Sequence, residues 1–200
     1  MMKRKPLSHP TVDQLEREIN RLKTVQEIKK AVISAIGTLM VFAAMSVLIS
    51  MLVLPVYKMQ LGSMEPSLFE DDVVIFSSLG DIRRGDIIAF RYNNQVLVKR
   101  VIATGGEVVD MALDGKVTIN NEPLEEPYIT TLYTGEGSIG FPYLVPAENY
   151  FVMGDNRISS TDSRMAVIGA VNPNQIAGKA VIRVWPISRL GTVNRSEGTL

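Results

Sequence analysis

Between Ala31 and Val56 the chain reads AVISAIGTLMVFAAMSVLISMLVLPV, twenty-six residues without a charge. As a helix this run would extend about 39 Å at about 1.5 Å per residue, more than the roughly 30 Å hydrocarbon core of a bilayer. It therefore crosses with some tilt, or stops early at Pro55. A removable signal peptide has a shorter apolar stretch, about 7–15 residues, and no small-x-small site precedes a plausible mature start here. The run reads as a membrane anchor and not as a helix buried in a soluble protein. In a chain of 200 residues it leaves room for one modest further domain.

Charge is placed unevenly around this anchor, although the formal net charge is zero. Residues 1–30 carry eight Lys and Arg side chains against Asp13, Glu16, Glu18 and Glu27. Lys29 and Lys30 abut the run on its N-terminal side, and on the far side only Lys58 is close. Basic flanks stay in the cytoplasm, so the reading is a cytoplasmic tail (1–30), a single span (31–56) and a domain outside the cell (57–191). This split reflects topology and not nucleic-acid binding, which needs a basic face on a folded domain. In the tail, Val12, Leu15, Ile19 and Leu22 recur with helical spacing. They suggest a short amphipathic helix at the membrane surface or in solvent, with too few heptads for a good coiled coil.

Beyond Asp72 the pattern turns to short β-type runs bounded by turn residues. VVIF (73–76), DIIAF (86–90), QVLVKRVIAT (95–104), KVTIN (116–120), NYFVMG (149–154) and KAVIRVWPI (179–187) all read as strands. Asp114-Gly115 suggests a two-residue hairpin turn, and Leu132 to Pro146, rich in Gly and Pro, reads as a long loop. Residues 192–200 are polar and expected to fray. The fold class is mainly β: an antiparallel folded-sheet or barrel-like catalytic domain behind one N-terminal transmembrane helix.

The chemistry starts from what is missing. There is no cysteine, so thiolate nucleophiles and disulfides are excluded, and there is one histidine, His9. In LGSMEPSLFEDD (61–72), Ser63 lies between a glycine and a methionine with Pro66 close behind, on a turn-prone backbone. A serine hydroxyl needs a base before it attacks anything, and His9 falls on the opposite side of the bilayer. Lys99, within QVLVKRVI, lies among aliphatic residues. Alternation groups it with Leu97 and Val101, and puts Val98, Arg100 and Ile102 on the other face. Loss of hydration would lower the pKa of such a lysine and leave an amine able to accept a proton. Taken alone, the segment better describes an edge-strand lysine snorkelling to solvent. YFVMGDNRISSTDSR (150–164) follows a strand with two carboxylates, two arginines and several hydroxyls. It is either a solvated loop or a set of groups that fixes the lysine and ties down backbone.

Together the three segments resemble the bacterial type I signal peptidases, the membrane-bound Ser/Lys proteases. GSMEPSL is similar to their nucleophile box, VKRVIATGGEVV to their lysine box and MGDNRISSTDSR to their most diagnostic box, with DGKVTINNEPLEEPYI and RVWPI in support. The resemblance runs from about Gln60 to Gly191. It implies Ser63 as nucleophile, Lys99 as general base and Ser160 as the hydroxyl that orients the lysine amine. It also implies the ion pairs Arg100–Asp155 and Asp162–Arg164, and a shallow apolar substrate pocket at Met59, Leu61, Met64, Leu68, Val74 and Val98. One departure is Leu61, where some members carry a serine that helps stabilise the oxyanion. Losing one such donor costs about 2.7–4 kcal/mol, which leaves the second donor unassigned.

The implied reaction is hydrolysis of membrane-held preproteins just after their signal peptides, with small residues before the cut and no metal or organic cofactor. Ser63 lies only seven residues beyond Val56, a reach of at most about 25 Å. The nucleophile is thus tied to the outer face of a bacterial cell membrane, at the depth where an anchored substrate would present itself. Two other readings stay open. One is a soluble Ser/Lys self-cleaving regulator, which the anchor argues against. The other is an idle, membrane-tethered assembly factor or chaperone, as in surface-fibre assembly, which the joint presence of Ser63, Lys99 and Ser160 argues against.

Overall fold

A computed structural model describes residues 11–133 and 137–193, except for the side chains of Met51 and Leu52. Lys3, Arg4, Lys5 and His9 lie outside the described residues, as do 134–136 of the expected loop and the tail from Asn194. The chain divides between Ile49 and Ser50 into a helical unit and a β unit.

Helix α1 (Val12–Val53) is one uninterrupted element of 42 residues, where the sequence suggested an amphipathic piece followed by an anchor. Nothing at the junction breaks it: Lys29, Lys30 and Ala31 all favour helix, and no proline occurs between Thr11 and Leu54. At about 1.5 Å per residue it extends about 63 Å, twice the thickness of a bilayer core. Asp13 sits in its first turn, where a negative charge suits the helix dipole. It ends just ahead of Pro55, because the residue before a proline is pushed out of helical backbone. Among the described residues it is the one helix long and apolar enough to cross a membrane. Its large apolar side chains, such as Leu39, Phe42 and Leu48, stand exposed.

The β unit holds two antiparallel sheets. The larger is built from β1 (Val56–Lys58), β2 (Val73–Ser77), β3 (Ile87–Tyr92), β4 (Gln95–Thr104), β9 (Tyr150–Met153), β10 (Ile176–Trp185) and β11 (Gly191–Thr192). Its order is β1-β2-β10-β3-β4-β9, with β11 on β10. The smaller sheet has the order β7-β6-β5-β8. Its strands are β5 (Val108–Met111), β6 (Val117–Ile119), β7 (Glu122–Pro123) and β8 (Tyr143–Leu144). Alternating side chains of the long strands enter different cores. From β3, Ile87 and Ala89 join Phe76 and Val74, while Ile88 and Phe90 join Val101 and Val152. A third cluster around Ile102, Val109, Ile119 and Phe151 seals the small sheet against the large one.

Three local expectations change. The Asp114-Gly115 hairpin has a three-residue loop: Gly115 N–H donates to Ala112 O at 2.9 Å, and Gly115 has φ +88°. That is a turn followed by a left-handed residue that only glycine adopts freely. The Leu132–Pro146 stretch is not all loop, because β8 pairs with Val108 and Val109. Thr192, expected to fray, belongs to β11, and Val193 N–H bonds Val181 O at 3.0 Å.

Candidate active site

The segment after β1 folds back on itself before β2 begins. Met59 N–H bonds Asp72 O at 2.7 Å, and Asp71 N–H bonds Met59 O at 3.1 Å. This ties the ends of a compact loop whose tip is a helical turn, closed by Leu68 N–H to Met64 O at 2.9 Å. Met59, Met64 and Leu68 drop into the core beneath it. Asp72, fully buried, holds the base of the loop through Arg183 and Arg189 at 3.0 and 2.9 Å and accepts from Phe69 N–H. Ser63 sits at the start of the helical turn, partly exposed.

Lys99 comes to this serine from the middle of β4, opposite Ile88 of β3. Its Nζ lies 2.6 Å from Ser63 Oγ, and the residue is 3 % exposed. Burial is the largest influence on the amine and strips hydration from its charged form. Asp162 and Asp155 favour the charge, Arg164 opposes it, and the balance leaves the lysine pKa lowered from 10.5 to about 8. The solvent-exposed edge-strand reading is therefore excluded.

Next to it, Arg100 is fixed by several acceptors. Its Nε and Nη2 bond the two Asp155 oxygens at 2.8 and 2.6 Å, and Nη1 reaches Gly85 O at 2.8 Å. Nη2 also reaches Ser67 Oγ in the Ser63 loop at 3.1 Å, and the guanidinium lies over the Tyr128 ring at 4.0 Å. The second pair forms within the 154–164 loop, where Arg164 grips both Asp162 oxygens at 2.8 and 2.9 Å. Burial works against the Asp162 charge, but Arg164 and the Gly154 N–H outweigh it and hold the carboxyl below its ordinary range.

Ser160 is placed differently from the expectation. Its Oγ is shut off from solvent and makes no hydrogen bond of good geometry, so the bond expected to the Lys99 amine is not formed. The hydroxyl lies near Asp162, close enough to favour that carboxylate weakly. Gly154 is packed against it so tightly that a β-carbon there would overlap Ser160 and meet Ser63 O at 2.5 Å. The only residue that fits between Ser63 and the loop is glycine.

A cleft of about 550 Å³ opens in front of Ser63 and Lys99. Met59, Leu61, Met64, Leu68 and Val98 line it. Val74 does not: it is fully buried in the core beneath, paired with Tyr57 on one side and Arg183 on the other. Its position between β1 and β10, and not its apolar character, decides this. Leu61 is 75 % exposed with φ +67°, a left-handed backbone that costs a leucine about 1–2 kcal/mol.

Asn156 went unassigned in the sequence. Its backbone N–H donates to Ser63 O and its Nδ2 to Gly62 O, each at 3.1 Å. The same loop contributes Arg157, 2 % exposed, which donates to Gly154 O and pairs with Glu126. A polar run following an apolar strand is the signal that marked this loop. Which of its residues turn inward is set by tertiary packing.

A family model described as signal peptidase, peptidase S26 matches residues 30–185. A signal peptidase I of Leptolyngbya laminosa is 38 % identical over 143 residues, covering 64 % of this chain and 68 % of that protein. One of Bacillus amyloliquefaciens is 31 % identical over 174 residues, covering 81 % of this chain and 92 % of the relative. Signal peptidase I S of Bacillus subtilis (strain 168) is 29 % identical over 188 residues, covering 88 % and 97 %. The matched span holds both segments that meet at Ser63 and Lys99, and the chain belongs to the signal peptidase, peptidase S26 family, as a bacterial type I signal peptidase.

Proposed function

We propose that this chain removes signal peptides from exported preproteins with a Ser63/Lys99 pair working at the outer face of the cell membrane. The observation that carries the reading is the 2.6 Å separation of Lys99 Nζ and Ser63 Oγ, with the amine buried and its pKa near 8. A neutral amine takes the proton of the serine hydroxyl as Oγ attacks the carbonyl carbon of the residue before the cut. The resulting ammonium returns that proton to the leaving nitrogen, and the mature chain departs. Water, deprotonated by the same amine, then hydrolyses the ester on Ser63. Ser63 N–H makes no hydrogen bond among the described residues and supplies one donor to the oxyanion. The cleft bounded by Met59, Met64 and Leu68 takes the small side chains before the cut.

Asp155–Arg100 and Asp162–Arg164 act as fixed pairs that hold the 154–164 loop against β4 and the nucleophile turn. Ser63 follows the end of the apolar helix at Val53 by ten residues, a short tether that suits a substrate held in the same bilayer. The test is purified full-length protein in vesicles with a membrane-inserted preprotein. Cleavage at one position by wild type, and loss of it in both Ser63→Ala and Lys99→Ala, is the expected result. Equal processing by either variant overturns the assignment, and no processing by wild type favours an idle tether.

A further inference from the structure

Two depressions flank the place where the nucleophile turn meets the 154–161 loop. The first is the cleft that holds Ser63 and Lys99. The second, about 320 Å³, is lined by Glu65, Pro66 and Phe69 from the turn, Asn156 and Ile158 from the loop, and Thr131 opposite. Both draw on the same two segments: Ser63, Met64, Ser159 and Thr161 border the first, and Glu65, Pro66 and Phe69 with residues 156–158 border the second. The wall between them is the pair of 3.1 Å bonds from Asn156 to Gly62 O and Ser63 O. A peptide whose N-terminal side fills the first cleft, with its carbonyl at Ser63, continues over this wall into the second depression.

The charge of the second depression is unbalanced. Arg157 at its floor is buried and neutralised by Glu126. Glu65 is only partly buried, and among the described residues its carboxylate has no ion-pair or hydrogen-bond partner. That carboxylate is folded back toward the nucleophile, so a β-carbon on Gly62 would meet Glu65 Oε1 at 2.8 Å. Exposed Ile158 and half-exposed Phe69 add apolar contact nearby.

Building on the reading of the chain as a signal peptidase, we infer that this depression receives the first residues of the mature protein beyond the cut. Glu65 there favours a basic side chain and disfavours an acidic one. The attraction is that of a partly exposed pair, which corresponds to about a two- to fivefold difference in rate. The experiment uses preproteins that are identical except for Lys, Ser or Glu at the two positions after the cut. They are inserted in zwitterionic vesicles with full-length enzyme, and kcat/KM is measured for each.

Wild type is expected to rank Lys above Ser above Glu, with the spread shrinking as NaCl rises and screens the pair. Glu65→Lys reverses the ranking. Thr131→Lys, on the opposite wall, shifts it the same way and serves if the first variant folds poorly. A flat ranking in wild type, with the Ser substrate still cut, overturns the subsite and leaves the peptidase reading standing. A ranking unchanged by both lysine variants also overturns it. Failure of wild type to cut any of the three overturns both readings together.

Discussion

Lys99 and Arg100 are consecutive in β4 and both buried, at 3 % and 1 % exposed, yet only the arginine has a carboxylate in contact. Arg100 is clamped by both oxygens of Asp155, whereas the Lys99 amine bonds Ser63 Oγ and nothing else among the described residues. A guanidinium keeps its charge in any protein environment and must be paired when buried, while an ammonium can shed its proton. Asp155 therefore serves the arginine and reaches the lysine only through space. Two adjacent basic residues are separated in this way into a fixed cation and an amine whose proton is held less tightly than usual.

Activity should follow the neutral form of Lys99. Because the folded pKa is lowered to about 8, kcat/KM rises with pH through that value and levels above it, well below the ordinary lysine range. Lys99→Arg should lose activity at every pH, since guanidinium does not deprotonate usefully. A pH profile of preprotein cleavage between about 6 and 10 checks both. An arginine variant with normal turnover would remove the lysine from its role.

Burying an amine that prefers water also weakens the fold, with a definite sign. Where the folded pKa is about 8 and the unfolded one 10.5, the unfolded chain binds more protons between those values. Stability attributable to this group therefore climbs with pH across that window and is lowest below it. The shift corresponds to about 3 kcal/mol. Lys99→Met should raise the unfolding free energy of the full chain in detergent by up to that amount at pH 7, and by progressively less toward pH 10.5, while abolishing cleavage. A variant less stable than wild type at pH 7 would contradict the burial argument.

Much of the site was legible because its chemistry is local in sequence. Strand β4 runs from Gln95 to Thr104 as its β-type run between turn residues indicates, and the three polar segments stand out against apolar neighbours. What was missed depends on partners far along the chain. β8 is two residues long, too short for any period, and exists because Val108 and Val109 offer it a ladder. Val74 is as apolar as the cleft-lining residues, and only its place between β1 and β10 buries it away from them. The Ser160 hydroxyl lies near Asp162 and packs against Gly154, which no spacing rule reports. The continuous helix escaped notice because the change from polar to apolar at Lys30 looks like a boundary, although the backbone has no reason to stop there.

Asn156 makes a further prediction. Its Nδ2 bond to Gly62 O spans 94 residues of chain and, with its own N–H on Ser63 O, sets where the nucleophile turn lies against the loop. Asn156→Ala removes the side-chain bond and keeps the backbone one, so the turn loosens without losing its nucleophile. One neutral hydrogen bond is worth about 1 kcal/mol, so kcat should fall about fivefold while KM changes little. Asn156→Asp, unable to donate from its side chain, should fall at least as far. A variant whose loss lies in KM alone would show that Asn156 acts on substrate binding instead of on the nucleophile.

The orientation can be read with a chemical label, because the chain has no cysteine to interfere. Thr24 is exposed on α1 ahead of the apolar run, and Leu113 is fully exposed at the tip of the β5–β6 hairpin. Lys29 and Lys30 flank the run on the Thr24 side, which by the basic-flank rule faces the cytoplasm. In intact cells, Leu113→Cys should react with a membrane-impermeant maleimide and Thr24→Cys should not. After lysis both should react, which controls for burial. Both positions lie far from Ser63 in sequence and on exposed surface, so cleavage activity gives a check that each labelled protein is folded. Labelling of Thr24→Cys in intact cells, with Leu113→Cys protected, would place Ser63 and Lys99 in the cytoplasm, where an exported substrate's cut site never lies.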